Sequence, residues 1–292
     1  MLLVIVDIAG HTGMGATRWI NLGFMNLQPS ELMKIALVLA LARYFHCLDN
    51  DQVGRYRRLV MPLFLIMAPI ILVLRQPDLG TSILIAIGGV AILFAAGIRM
   101  WIFVVTGLAS IPAAFGAWQF MKPYQQSRVL TFLNPERDPL GAGYHSIQAK
   151  IAVGSGGVHG KGFIQGSQSQ LNFLPEKHTD FIFTVLAEEF GLIGGLGLLG
   201  LYLLLLGYAV IISMSVRSQF GRLLSLGMAV TFFLYMFINV AMNLGMLPVV
   251  GVPLPLVSYG GSAMLTLLVG IGFVLCVAIH RDTSISRGGA FA

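Results

Sequence analysis

Long apolar runs, each broken by only a few polar positions, fill most of the chain. A bilayer core takes about 20 apolar residues per helix, and the pattern predicts spans at 31–47, 59–75, 80–98, 100–121, 182–214, 223–247 and 262–280. The fold class expected is all-α, a polytopic membrane helix bundle of about seven complete helices. A partial helix precedes them: "MLLVIVDIAG" offers nine residues before Gly10, about 14 Å at ~1.5 Å per residue and so about half a crossing. Between the fourth and fifth runs lies the polar, glycine-rich segment 122–181, far longer than an ordinary connection and expected to be functional. Within it 146–153 reads as a short helix. The glycines from 154 to 166 predict tight backbone turns against a ligand or another segment.

Composition agrees with the pattern. With 57% hydrophobic and 10% charged residues and a mean hydropathy of +0.84, a soluble domain is excluded. A net charge of +6 could suggest nucleic acid, but the basic residues are scattered and only Arg55, Arg57 and Arg58 cluster. The positive-inside rule accounts for them better. With the 48–58 loop cytoplasmic, Arg43, Arg55, Arg57, Arg58, Arg99, Arg217, Arg222, Arg281 and Arg287 fall inside, against Arg18, Lys34 and Arg75 on short outer segments. That places the C-terminus in the cytoplasm and 122–181 outside, away from cytoplasmic ATP. Cys47 and Cys276 fall at cytoplasmic helix ends and are expected to be free thiols. The whole chain, 1–292, reads as one integral membrane domain.

The candidate chemistry lies in the polar residues that interrupt this pattern. "GSGGVHGKGF" is not a phosphate-binding loop: its glycine spacing is one short, and Gly162 stands where Ser or Thr is needed. His145, His159 and His178 are spaced too widely to suggest a metal site and read as loop histidines. In "FLPEKHTDFIFTVLAEEFG", Thr179 or Asp180 can cap the helix that follows. Glu188 and Glu189 come about 12 and 13.5 Å deeper at ~1.5 Å per residue, where a charge must face the bundle interior or a wet cavity. In "LQPSELMK", Pro29 suits a first turn and Ser30 a cap. Glu31 and Lys34 share one helix face, and a cation so early opposes the helix dipole unless a partner or a ligand offsets it. In "RQPDLGTS", Pro77 ends one helix and Asp78 caps the next, placed to neutralise or position Lys34. In "NVAMNLGMLPVVGVPLPLVSYGGSA", Pro248, Pro253 and Pro255 break the helix and Gly260 and Gly261 allow close backbone approach, so this stretch is expected to line a cavity.

These motifs, together with "NPERDPLGAGYHSIQAKIAVGSGG" and "GSQSQL", closely resemble the SEDS family of shape, elongation, division and sporulation proteins, over essentially the whole chain and in the same order. The last two look like the elongation branch rather than the division branch. The resemblance implies a peptidoglycan glycosyltransferase that polymerises lipid II on the outer face of the cytoplasmic membrane. It carries the family's essential aspartate onto Asp180, its "PSELMK" glutamate and lysine onto Glu31 and Lys34, and its "QPDLG" aspartate onto Asp78. It implies a class B penicillin-binding protein, a transpeptidase, as partner. The chemistry suits these residues: Asp180 as the base for a sugar hydroxyl, and Lys34 for the polyprenyl pyrophosphate that leaves, with Arg18 as second candidate. No cofactor is implied with certainty, and a divalent cation could do the work of the lysine. A transporter or flippase of lipid-linked precursor is the alternative, carried by Glu188 and Glu189. Family members usually have ten spans and the matching motifs begin within the third, so the expectation is a chain lacking about two and a half helices at its N-terminus.

Overall fold

The computed structural model describes residues 3, 6, 11–13, 16–21, 23, 26–49, 53, 54, 56–76, 78–121, 123–134, 142–171, 176–283, 285 and 286. Most of the partial first helix, Pro77, most of "NPERDPLG" and the "FLP" that opens the Asp180 motif lie outside these residues. The chain divides into two compact units, one of Met1–Arg99, Leu204–Leu234 and Gly260–Ala292, the other of Met100–Leu203 and Tyr235–Tyr259.

The first unit opens with three short antiparallel strands that hydropathy does not announce. β1 (His11–Gly13) pairs with β2 (Ala16–Asn21), and β2 with β3 (Asn26–Leu27). Gly23, with φ +87°, donates its amide to Asn21 Oδ1 at 2.7 Å in the second turn. Helix α1 (Pro29–His46) follows, with Pro29 at the first helical position after an extended Gln28. Ser30 therefore lies inside the first turn and is not the cap, because proline fixes where the helix begins. Ile35, Leu37, Val38, Leu41, Ala42 and Phe45 of α1 are all buried. Helices α2 (Tyr56–Arg75), α3 (Leu79–Ala95) and α10 (Gly261–Ile279) pack on α1. Small residues let helices approach closely in a membrane. A Cβ at Gly89 would strike Ile66, and one at Gly227 would strike Val38 and Ile92.

The surface of α2 is apolar at helical spacing: Val60, Phe64, Met67, Ile71 and Leu74 are all exposed. Such an outward apolar stripe suits lipid rather than water. Cys47 and Cys276 are free thiols, as expected.

The second unit holds α4 (Met100–Phe120), α5 (Pro123–Leu133), α6 (Ala142–Ser155), the single turn α7 (Ser167–Gln170) and the beginning of α8 (Ile182–Ser215). It also takes the end of α9 (Gln219–Asn243) and the non-helical 244–260 segment up to Tyr259. The segment read as a long loop is thus partly helical, and α6 contains the predicted 146–153 helix. Helices occupy all seven predicted places. Among the described residues four of them, Arg57–Arg75, Ile182–Ser215, Gln219–Asn243 and Gly261–Ile279, are long and apolar enough to cross a membrane by length and composition. α1 carries Glu31, Lys34 and Arg43, and α3 is only 17 residues long.

Helix α8 departs from expectation. Its 34 residues would measure about 51 Å, well over a bilayer core of about 30 Å. The backbone breaks at Gly191, with φ 66° and ψ −161°. The run from 192 to 215 remains, about 36 Å at ~1.5 Å per residue and long enough to cross alone. Glu188 and Glu189 therefore stand in a short helix before the break and not deep within one continuous span.

The glycine-rich loop forms the other half of this break. Lys161 and Gly162 amides donate to the Glu188 and Glu189 carbonyls at 3.0 Å each. Leu192 and Ile193 amides donate to the Gly157 and Val158 carbonyls at 2.9 and 3.2 Å. The break would orphan these four groups, and the loop satisfies them. A Cβ at Gly160 or Gly191 would drive into the opposing backbone. The expected close approach is to another segment of this chain.

Candidate active site

Three consecutive carbonyls fix the backbone around Asp180. The His178 carbonyl accepts from the Tyr259 amide at 2.9 Å. The Thr179 carbonyl accepts from Ser258 Oγ at 2.6 Å, and that hydroxyl in turn accepts from the Leu254 amide at 2.7 Å. The Asp180 carbonyl accepts from Asn239 Nδ2 at 3.1 Å and Asn243 Nδ2 at 2.9 Å. Asn239 and Asn243, one turn apart on α9, are both fully buried. Thr184 donates to Asn243 Oδ1 at 2.6 Å, and Asn239 also donates to the Val252 carbonyl at 2.7 Å. Thr179 Oγ1 is directed at Glu176 Oε2, 2.9 Å away. Side-chain bonds to backbone thus replace the helix and sheet ladders that this irregular stretch lacks.

The Asp180 side chain lines a cavity of about 340 Å³ together with Thr131, His145, Ser146 and Glu176. Phe132, Phe181, Leu247, Pro248 and Val249 supply its apolar wall. The proline-broken stretch does line a cavity, as expected. The close approach expected at Gly260 and Gly261 is absent, since Gly260 is extended and a Cβ on either glycine meets no crowding. At Gly251, whose φ is +72°, an added Cβ would make ordinary contact with Asp180 Oδ2 at 3.4 Å. Two further site residues went unread in the sequence. Glu176 stands four residues before Asp180 with no local signal of its own, and His145 reads as a loop histidine.

Glu188 has a different use. It is fully buried, and it accepts from Lys161 Nζ at 2.7 Å and from the Gln168 and Ser169 amides at 2.9 and 3.1 Å. It ties the loop to the helix before the break, and those bonds take up both of its oxygens.

The other four candidates gather in the first unit. Asp78 is the N-cap of α3, with Oδ1 accepting from the Thr81 amide at 3.1 Å and Oδ2 from Thr81 Oγ1 at 3.0 Å. Gln28 Nε2 donates to the same Oδ2 at 3.3 Å, and Arg18 Nε lies 3.8 Å from it. Arg18 also donates to the Gln76 carbonyl at 3.2 Å. Lys34 and Glu31 form a buried pair, Nζ to Oε1 2.7 Å. This pair offsets the cost of a cation in the first turn of α1. Among the described residues no group of three or more His, Cys, Asp or Glu is placed to hold a metal ion.

Residues 1–283 match the cell cycle protein family that comprises FtsW, RodA and SpoVE. The chain belongs to the SEDS family. It is 49% identical to the peptidoglycan glycosyltransferase MrdB of Escherichia coli K12 over 291 residues, covering 96% of this chain and 76% of that one. It is 40% identical to the probable peptidoglycan glycosyltransferase FtsW of Trichlorobacter lovleyi, covering 95% and 73%, so the likeness is stronger to the RodA side of the SEDS proteins. Among solved structures it matches a chain of a peptidoglycan synthase complex described for its structural coordination of polymerization and crosslinking. That match has a TM-score of 0.82 and 34% identity over 97% of this chain and 79% of that one. The Thermus thermophilus rod shape determining protein RodA matches with a TM-score of 0.69 and 30% identity, covering 97% and 76%. The fold is that of a multi-pass SEDS membrane protein.

Proposed function

We propose that this chain is a peptidoglycan glycosyltransferase that polymerises lipid II into glycan strands on the outer face of the cytoplasmic membrane during cell elongation. The observation that carries the proposal is Asp180: a carboxylate on a backbone fixed at three consecutive carbonyls, at the wall of a ligand-sized cavity. Rigid placement of this kind is what a general base requires. Asp180 takes the proton of the acceptor sugar's C4 hydroxyl as that oxygen attacks the anomeric carbon of the growing strand. The bond from that carbon to the pyrophosphate oxygen breaks, its electron pair leaves with the polyprenyl pyrophosphate, and configuration inverts. Lys34, with its ammonium on Glu31, and Arg18, held beside Asp78, are the cations we assign to the leaving group. A class B penicillin-binding protein is the expected partner, recovered by co-purification and raising the polymerase rate.

The test is labelled lipid II incubated with the purified chain and its partner, scored for glycan chains. Asp180→Asn keeps the size of the side chain and removes the base, so polymerisation should fall at least about 10²-fold with folding and partner binding intact. Near wild-type synthesis by that variant would refute the assignment. A transporter would move lipid II across vesicles and make no glycan. Of the two glutamates that favoured transport, Glu188 is bound to Lys161 and two loop amides.

A further inference from the structure

His145 lies on α6 one turn before Ala149, and Ala149 and Ala152 on that face are fully buried against Phe181. The alanines let α6 close onto the segment carrying Asp180, which brings His145 into the wall of the same cavity. The edge-to-face ring of Tyr144, 5.8 Å away, helps to hold the imidazole. Its Nδ1 is buried and has no hydrogen-bond partner among the described residues. The residue as a whole is only partly buried, so the imidazole keeps an edge open to a ligand.

The charge of the cavity says which part of the substrate belongs there. Among the described residues its lining contains two carboxylates, Glu176 and Asp180, and no lysine or arginine. Two anions repel a pyrophosphate, whereas carboxylates, an imidazole and hydroxyls against aromatic walls suit a neutral ring rich in hydroxyl donors. The volume lies at the lower end of the ligand-pocket range, enough for one ring rather than a strand. We propose that His145, in the same cavity wall as Glu176, positions the acceptor sugar, hydrogen-bonding its ring substituents while Asp180 takes the proton from the attacking hydroxyl. This inference rests on the glycosyltransferase reading above.

The experiment measures inhibition of lipid II polymerisation by two probes, using the purified chain with its transpeptidase partner. One probe is a soluble disaccharide-peptide with no polyprenyl pyrophosphate, and the other is the polyprenyl pyrophosphate alone. In His145→Ala the disaccharide should inhibit about tenfold more weakly, the loss of one hydrogen bond, while pyrophosphate inhibition stays unchanged. Should that variant not fold, His145→Phe, which keeps a ring and removes the hydrogen bond, carries the same comparison. Unchanged disaccharide inhibition overturns the proposal, as does a wild-type enzyme on which the disaccharide has no effect. Weakening of pyrophosphate inhibition alone would place His145 at the leaving group, and weakening of both would make its role structural. Either result overturns it too. A wild-type complex that makes no glycan refutes the glycosyltransferase reading itself, whatever His145 does.

Discussion

Removing the Glu188 carboxylate should release the glycine-rich loop from the helix it is tied to. Glu188→Ala deprives the Gln168 and Ser169 amides of their acceptor, and the Ser169 side is buried. An orphaned buried donor costs about 1–3 kcal/mol. Lys161, whose side chain is 27% exposed, can turn to water and adds little, in contrast to a fully buried partner. The total is about 2–4 kcal/mol, or about thirtyfold or more in the opening equilibrium of the loop. Glu188→Gln keeps one acceptor oxygen and should cost about half as much. Lys161→Met should cost least, because the carboxylate keeps its two backbone donors, and the double variant Glu188→Ala/Lys161→Met should be less destabilised than the sum. Hydrogen exchange at the Gln168 and Ser169 amides reads this directly, with protease cleavage within 156–171 as a second measure. Equal protection in Glu188→Ala and wild type would refute the reasoning.

Gly191→Ala places a side chain where the backbone conformation is restricted almost to glycine and the Gly160 backbone leaves no room. It should destabilise by at least about 3 kcal/mol, seen as a lower melting temperature in detergent, and a variant as stable as wild type would contradict the break. Asn243→Ala removes a buried donor to the Asp180 carbonyl, so kcat should fall about tenfold or more with a smaller change in KM, measured on lipid II. Equal kcat would mean that Asn239 alone fixes Asp180. Lys34→Ala removes the ammonium 2.7 Å from the buried Glu31 carboxylate, which should destabilise by up to about 3–5 kcal/mol. Glu31→Gln/Lys34→Met should be far more stable and still inactive if the charge serves the pyrophosphate. Activity in that double variant would leave the pair purely structural.

Hydropathy alone was enough to show a multi-pass helical protein, because lipid forces every spanning backbone into helices whose length is set by bilayer thickness. Local chemistry was equally legible. Pro29 opens α1, Asp78 caps α3, Glu31 and Lys34 pair three residues apart, and the prolines after Asn243 interrupt a helix. Each of these depends on neighbours within a few residues. What the sequence could not show were relations between distant segments. Glu188 and Glu189 read as charges deep in a span because one continuous apolar run does not reveal that Gly191 breaks it. The break is stable only with the 157–162 backbone beside it. His145 read as a loop histidine, since only the packing of Ala149 and Ala152 on Phe181 carries it to Asp180. Glu176 and Asp180 meet one cavity wall because Asn239, Asn243, Ser258 and Tyr259, some 60 to 80 residues further on, hold the carbonyls between and beside them. Periodicity reports the solvent around each helix, whereas the site depends on which backbone groups a broken helix leaves unsatisfied and which remote side chains reach them.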